Sequence, residues 1–93
     1  MFSLRDLETV ILERKVNPLP ESYTAKLFAA GEDEIVKKIG EEVVEVILAA
    51  KGQGDERLIS ETADLLYHLL VLLAAHGLKL EQVEAELERR HGK

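Results

Sequence analysis

The sequence predicts an all-α protein, a bundle of four to five helices around a central antiparallel helix hairpin. Three observations predict it. Apolar residues recur at three- and four-residue intervals almost throughout, and no stretch alternates like a half-buried strand. Cap and stop residues punctuate the chain where helices should begin and end. Two long helical segments flank Gly52-Gln53-Gly54, a turn short enough to fold one back on the other.

A first helix fits Leu4 to about Lys15, with Ser3 as N-cap, Asp6 in the first turn, and Leu4, Leu7, Val10 and Ile11 on one face. Asn17-Pro18-Leu19-Pro20 forces an extended connection, because proline disfavours helix at the residue before it. A short second helix follows from Tyr23 to Ala30, capped by Ser22 and ended by Gly31. The third runs from about Asp33 to Lys51, with Ile35, Ile39, Val43, Val46 and Ala50 as its buried stripe. Gly40 interrupts it at a cost of about 1 kcal/mol against alanine. Close approach of a backbone or ligand would explain it, and so would a tolerated helix glycine.

The fourth helix runs from about Glu56 to His76, with Gly77 as its stop. From Leu65 it is apolar almost all round, so burial on every side is expected. A chain this small can hardly supply that cover, which predicts a homodimer with this helix near the interface. The last helix, about Leu80 to Arg90, is strongly charged, with Leu80, Val83 and Leu87 as a narrow seam. His76 and His91 complement the dipoles at helix C-termini.

Ninety-three residues suit one domain, 1–93. A domain of this size buries only about 60–65% of its unfolded surface, which again favours oligomerisation. A hydrophobic fraction of 46% with 32% charged residues indicates a soluble globular protein rather than a disordered one. Cysteine is absent, which excludes disulfides and thiolate zinc sites and suits a reducing cytoplasm. No signal peptide is expected, because charge arrives at Arg5 and Asp6 before any apolar run develops. The longest apolar run, Leu65 to Ala75, covers 11 residues, so no membrane span is expected. A net charge of −6 argues against nucleic acid as a partner but leaves room for a phosphorylated small molecule bridged by a divalent cation.

The acids make that bridge plausible. Glu42 and Glu45 lie 11 and 8 residues before Gln53, and Glu61 and Asp64 lie 8 and 11 residues after it. Spacing of i,i+3 puts each pair on one helical face. Folding at the turn stands Glu45 level with Glu61, and Glu42 level with Asp64. Four converging carboxylates repel one another unless a hard cation such as Mg²⁺ sits between them. Such a cation can polarise a phosphoryl group, neutralise a leaving pyrophosphate and lower the pKa of a bound water. Lys38 and Arg57 each lie one turn before an acid of the set, placed to hold a phosphate or to neutralise the carboxylates. His68, at i+4 from Asp64, either contacts substrate or hydrogen-bonds to Asp64 within the core. The bland alternative is a solvated acidic face, the reading that suits Glu81, Glu84, Glu86 and Glu88 of the last helix.

Lys38-x-x-Glu41-Glu42-x-x-Glu45, followed after 15 residues by Glu61-x-x-Asp64, resembles the signature of the all-α, MazG-like nucleoside-triphosphate pyrophosphohydrolases. With Ser22-Tyr23-Thr24, Leu27, Gly31 and the run Asp64-Leu65-Leu66-Tyr67-His68, the match narrows to the phosphoribosyl-ATP pyrophosphohydrolase family of histidine biosynthesis. The resemblance implies Mg²⁺-dependent cleavage of phosphoribosyl-ATP between its α and β phosphates, in the cytoplasm. It implies metal ligation by Glu42, Glu45, Glu61 and Asp64, and Lys38 facing the phosphates. Tyr23 and Thr24 would help shape the substrate pocket, and Glu41 or Glu42 would act in catalysis. Two other readings stay open: a house-cleaning enzyme for non-standard nucleoside triphosphates, and a non-catalytic helical dimerisation module.

Overall fold

The computed structural model describes residues 1–92, and these form five α-helices without a strand. They are α1 (Leu4–Val16), α2 (Tyr23–Ala30), α3 (Glu32–Leu48), α4 (Asp55–Ala75) and α5 (Leu80–His91). Local chemistry accounts for their starts. Ser3 and Asp6 form a reciprocal capping box on α1: the Asp6 N–H donates to Ser3 Oγ at 3.2 Å, and the Ser3 N–H donates to Asp6 Oδ2 at 2.9 Å. On α2, Ser22 Oγ accepts the Ala25 N–H at 3.1 Å. Both caps, and both ends of α2, fall where the sequence puts them.

Two glycines open the next helices. Gly31 (φ 99°, ψ 176°) precedes α3 and Gly54 (φ 91°, ψ 165°) precedes α4. That region of backbone space is essentially reserved for glycine. Each lets the chain reverse within one residue and begin a helix at once. Between α3 and α4 the helix widens into a single π turn, Ala49–Gln53, where the sequence suggests continuous α-helix to Lys51.

The α3–α4 hairpin is the most extensive contact of the fold, and α1 and α2 pack along it. One core links all five helices: Ile11, Leu27, Ile35, Leu70, Val71, Ala74 and Leu80, flanked by Phe28, Ile39 and Tyr67. Ile11, Ile35 and Val71 have no exposed surface, each worth about 1.5–3 kcal/mol of transfer free energy. Helix α1 also ties down the far end of the bundle. Lys15 Nζ donates to the Ala74 carbonyl at 2.5 Å near the C-terminus of α4, and Glu8 Oε2 accepts the Leu80 N–H at 2.7 Å at the start of α5. His76 Nε2 lies 2.8 Å from Glu32 Oε1, so this histidine does more than face a helix dipole.

Three expectations need correction. The stripe on α3 is only partly buried. Ile35 is in the core and Ile39 and Val46 are half-buried, but Val43 is exposed and Ala49 turns inward in place of Ala50, where the π turn begins. Helix α4 is not buried on every side, since Leu66 and Leu69 stay exposed, and Val44, Ile47 and Leu48 of α3 and Ile59 of α4 are more exposed still. Along the seam of α5, Leu80 is buried while Val83 and Leu87 remain exposed. Helix α4, at 21 residues, is also long and apolar enough by composition to cross a bilayer, although its longest uninterrupted apolar run is short. Its place is the centre of the bundle, with Glu61 and Asp64 in its length.

Candidate active site

The hairpin brings three of the four paired acids together. Glu42 of α3 and Glu61 and Asp64 of α4 can each place a carboxylate oxygen within 4.8 Å of the other two. Glu61 is buried, at 7% exposed, Glu42 is half-buried, and Asp64 opens to solvent. The carboxylates therefore line a site that runs from the interior to the surface. Glu45, one turn beyond Glu42, is half-buried but stands outside this convergence. Glu42 meets both acids of α4 rather than Asp64 alone.

Burial is the main cause that raises the Glu42 carboxyl above its ordinary value of 4.5; Asp64 and Glu61 add to it, while His68 and Lys38 oppose. Arg57 Nη2 lies 2.8 Å from Glu61 Oε2, so the buried acid has a cation beside it. Lys38 Nζ lies 3.2 Å from Glu41 Oε1, and this bond is the chief cause that raises the ammonium's pKa. Glu41 itself is exposed.

Three hard oxygen ligands at this separation suit a small divalent cation. Mg²⁺ takes oxygens at about 2.1 Å, so ligands around it lie up to roughly 4.2 Å apart. Oxygens that all lie within 4.8 Å of one another are on that scale. Carboxylates and water are also the donor set that Mg²⁺ prefers.

Beside the acids lies a polar seam between α2 and α4. His68, at 5% exposed, uses Nδ1–H to donate to the Asp64 carbonyl oxygen at 2.8 Å. A carbonyl can only accept, so Nδ1 carries a proton, and Nε2 lies 3.0 Å from the Tyr23 hydroxyl in a second hydrogen bond. His68 therefore bonds to Asp64 through the backbone, not the carboxylate, and reaches Tyr23 as well. One residue along, the Thr24 and Tyr67 hydroxyls share a hydrogen bond. The Tyr23 and Tyr67 rings stack at 6.2 Å between centroids and 28° between planes, and His68 meets both edge-on. Burial is the leading cause that raises both phenol pKa values; Lys38 opposes it at Tyr23, as the Thr24 hydrogen bond does at Tyr67. No buried side-chain polar atom among the described residues lacks a partner.

The candidate residues Lys38, Glu42, Glu61, Asp64, His68, Tyr23 and Thr24 thus share one region. Tyr67 is the member that residue-by-residue sequence reasoning leaves out. A hydroxyl within an otherwise apolar run was its signal, since a buried tyrosine needs a partner for its O–H.

An all-helical bundle whose central hairpin gathers carboxylates beside basic side chains has the build of the all-α nucleotide pyrophosphohydrolases. The description phosphoribosyl-ATP pyrophosphohydrolase matches residues 4–91, and the chain belongs to that family. A phosphoribosyl-ATP pyrophosphatase of Pelotomaculum thermopropionicum is 58% identical over 90 residues, covering 97% of this chain and 92% of the relative. One from Lactiplantibacillus plantarum is 50% identical over 93 residues, covering 100% and 88%. A third, from Bacillus thuringiensis, is 57% identical over 81 residues, covering 87% and 76%.

Proposed function

We propose that the chain hydrolyses phosphoribosyl-ATP to phosphoribosyl-AMP and pyrophosphate, an early step of histidine biosynthesis, with Mg²⁺ as cofactor. The observation that carries this reading is the convergence of Glu42, Glu61 and Asp64 in a chain of this family. Those three would hold the cation, and Glu45 would complete the set by a side-chain rotation. When bound, the cation would neutralise the polyphosphate and stabilise charge on the leaving group.

The chain's own residues do the rest. Water attacks the α phosphorus, the bond to the bridging oxygen breaks, and pyrophosphate leaves. Glu42 or the neighbouring Glu41 would take the water's proton as general base. Lys38 faces the phosphates and is kept charged by Glu41. Arg57 offsets Glu61 while no cation is present. Tyr23, Thr24 and His68 form the wall against which the nucleoside rests.

A second copy of the chain is the partner we propose. Val44, Ile47, Leu48 and Ile59 expose an apolar face on the hairpin that carries the acids, and a homodimer would cover it. Sedimentation at micromolar concentration tests this, and a monomer would end it. The acidic balance and absence of cysteine suit a cytoplasmic enzyme with neither nucleic acid nor membrane as partner.

The test of the reaction is pyrophosphate release from phosphoribosyl-ATP and from a panel of ordinary and modified nucleoside triphosphates, with and without Mg²⁺. Fast Mg²⁺-dependent release from phosphoribosyl-ATP alone is expected. Release from free triphosphates instead would move the chain to house-cleaning, and no release from any would leave a helical module.

A further inference from the structure

We propose that Tyr23, backed by Tyr67, is an aromatic platform that selects a cationic purine, and so distinguishes N1-substituted adenine nucleotides from ATP. The inference rests on the proposed reaction and adds how the site reads the base.

Tyr23 is 47% exposed, although of the two neighbours that hold it His68 is buried and Tyr67 half-buried. Its hydroxyl is tied back to His68, and its ring lies on Tyr67, which is itself fixed by Thr24. A half-exposed ring held at its hydroxyl and along one face is pre-organised to present the rest of its surface to a ligand. Its place is beside the acids: His68 alone stands between Tyr23 and the backbone of Asp64. Glu34, Lys38 and Glu42 follow one another at i, i+4 and i+8 on α3, and the charges of all three bear on the Tyr23 phenol, as does Glu41. The three acids outnumber Lys38, which bears on the phenol more strongly than any one of them.

The substrate's chemistry supplies the complement. A substituent on N1 of adenine blocks the ring nitrogen that accepts in ATP and makes the exocyclic imine strongly basic. The ring of an N1-substituted adenine therefore carries a positive charge at neutral pH, whereas the ring of ATP does not. A cation over an electron-rich tyrosine face is attracted by the ring quadrupole, and nearby carboxylates strengthen the preference. Neutral adenine stacks on the same face without that increment.

The experiment measures inhibition of phosphoribosyl-ATP turnover by ATP and by N1-methyl-ATP, which has the charge but no second ribose. In the unaltered protein N1-methyl-ATP is expected to inhibit about tenfold more tightly, equivalent to about 1.4 kcal/mol. In Tyr23→Leu the two should inhibit within about twofold of each other, while Tyr23→Phe keeps the preference because the ring remains. Equal inhibition in the unaltered protein overturns the platform whatever the variants do. So does a preference that survives Tyr23→Leu. Absence of any phosphoribosyl-ATP turnover is a separate outcome, and it overturns the proposed reaction together with this inference.

Discussion

Arg57 lies 2.8 Å from the carboxylate of Glu61, the buried acid of the site, so a positive side chain already shares a carboxylate that the site would offer a cation. The guanidinium and the metal ion then compete for the same charge. Arg57→Gln should tighten Mg²⁺ binding by about threefold, the scale of a half-exposed ion pair. The same change should lower the melting temperature of the metal-free protein. Titration of turnover against Mg²⁺ checks the first, and thermal melts in chelator check the second. A rise in substrate KM at saturating Mg²⁺ would show Arg57 holding phosphate instead.

Asp64 and Glu45 should behave differently. Asp64 lies in the three-acid convergence and Glu45 outside it. Asp64→Asn is expected to lower turnover on the order of a hundredfold or more, as removal of a group serving developing charge does. It should also abolish the rise in melting temperature expected when Mg²⁺ is added to the unaltered protein. Glu45→Gln should weaken Mg²⁺ by about tenfold and leave turnover at saturating metal largely intact. Equal losses in the two variants would make Glu45 a full ligand.

The metal-free protein should gain stability from Glu42 as pH falls. Burial, Asp64 and Glu61 raise this carboxyl above 4.5, so the folded chain holds the proton more tightly than the unfolded chain. The contribution is fully present below pH 4.5 and is lost as pH rises through the raised value. Glu42→Gln should therefore melt higher than the unaltered protein at neutral pH, with the gap closing towards pH 4.5. A gap that does not change with pH would remove Glu42 from the set of strained acids.

Two glycines should respond with opposite signs. A Cβ at Gly40 meets nothing within 4 Å, so no neighbouring backbone explains this glycine. Gly40→Ala should stabilise the protein by about 0.5–1 kcal/mol, which raises the melting temperature by roughly 4–8 °C per kcal/mol. Gly54→Ala should cost about 1–3 kcal/mol, because φ is 91° and ψ is 165° there. If Gly40→Ala keeps its stability but loses turnover, that open space belongs to a ligand.

The extent of α2 was legible because both its ends are set by local chemistry, Ser22 at one and Gly31 at the other. The hairpin and its acids were legible for a similar reason: helical period and a glycine turn fix which faces meet. The register across the turn was not, since whether the chain passes 49–53 as an α or a π turn depends on packing, and that choice decides how Glu42 and Glu45 face α4. The bond between Thr24 and Tyr67 joins residues 43 apart, and no periodicity encodes it. Val44, Ile47 and Leu48 fall outside the stripe read from the sequence, which counts one apolar face on a helix that carries a second.

The three acids all ride on one hairpin, so they meet at the moment its two arms close. Their mutual repulsion therefore belongs to the folding barrier as well as to the finished fold. A divalent cation present during closure would lower that barrier. Refolding should accelerate with added Mg²⁺, and stopped-flow traces with and without the ion would show it. On that view the speed at which new chains mature is itself set by the divalent ions around them.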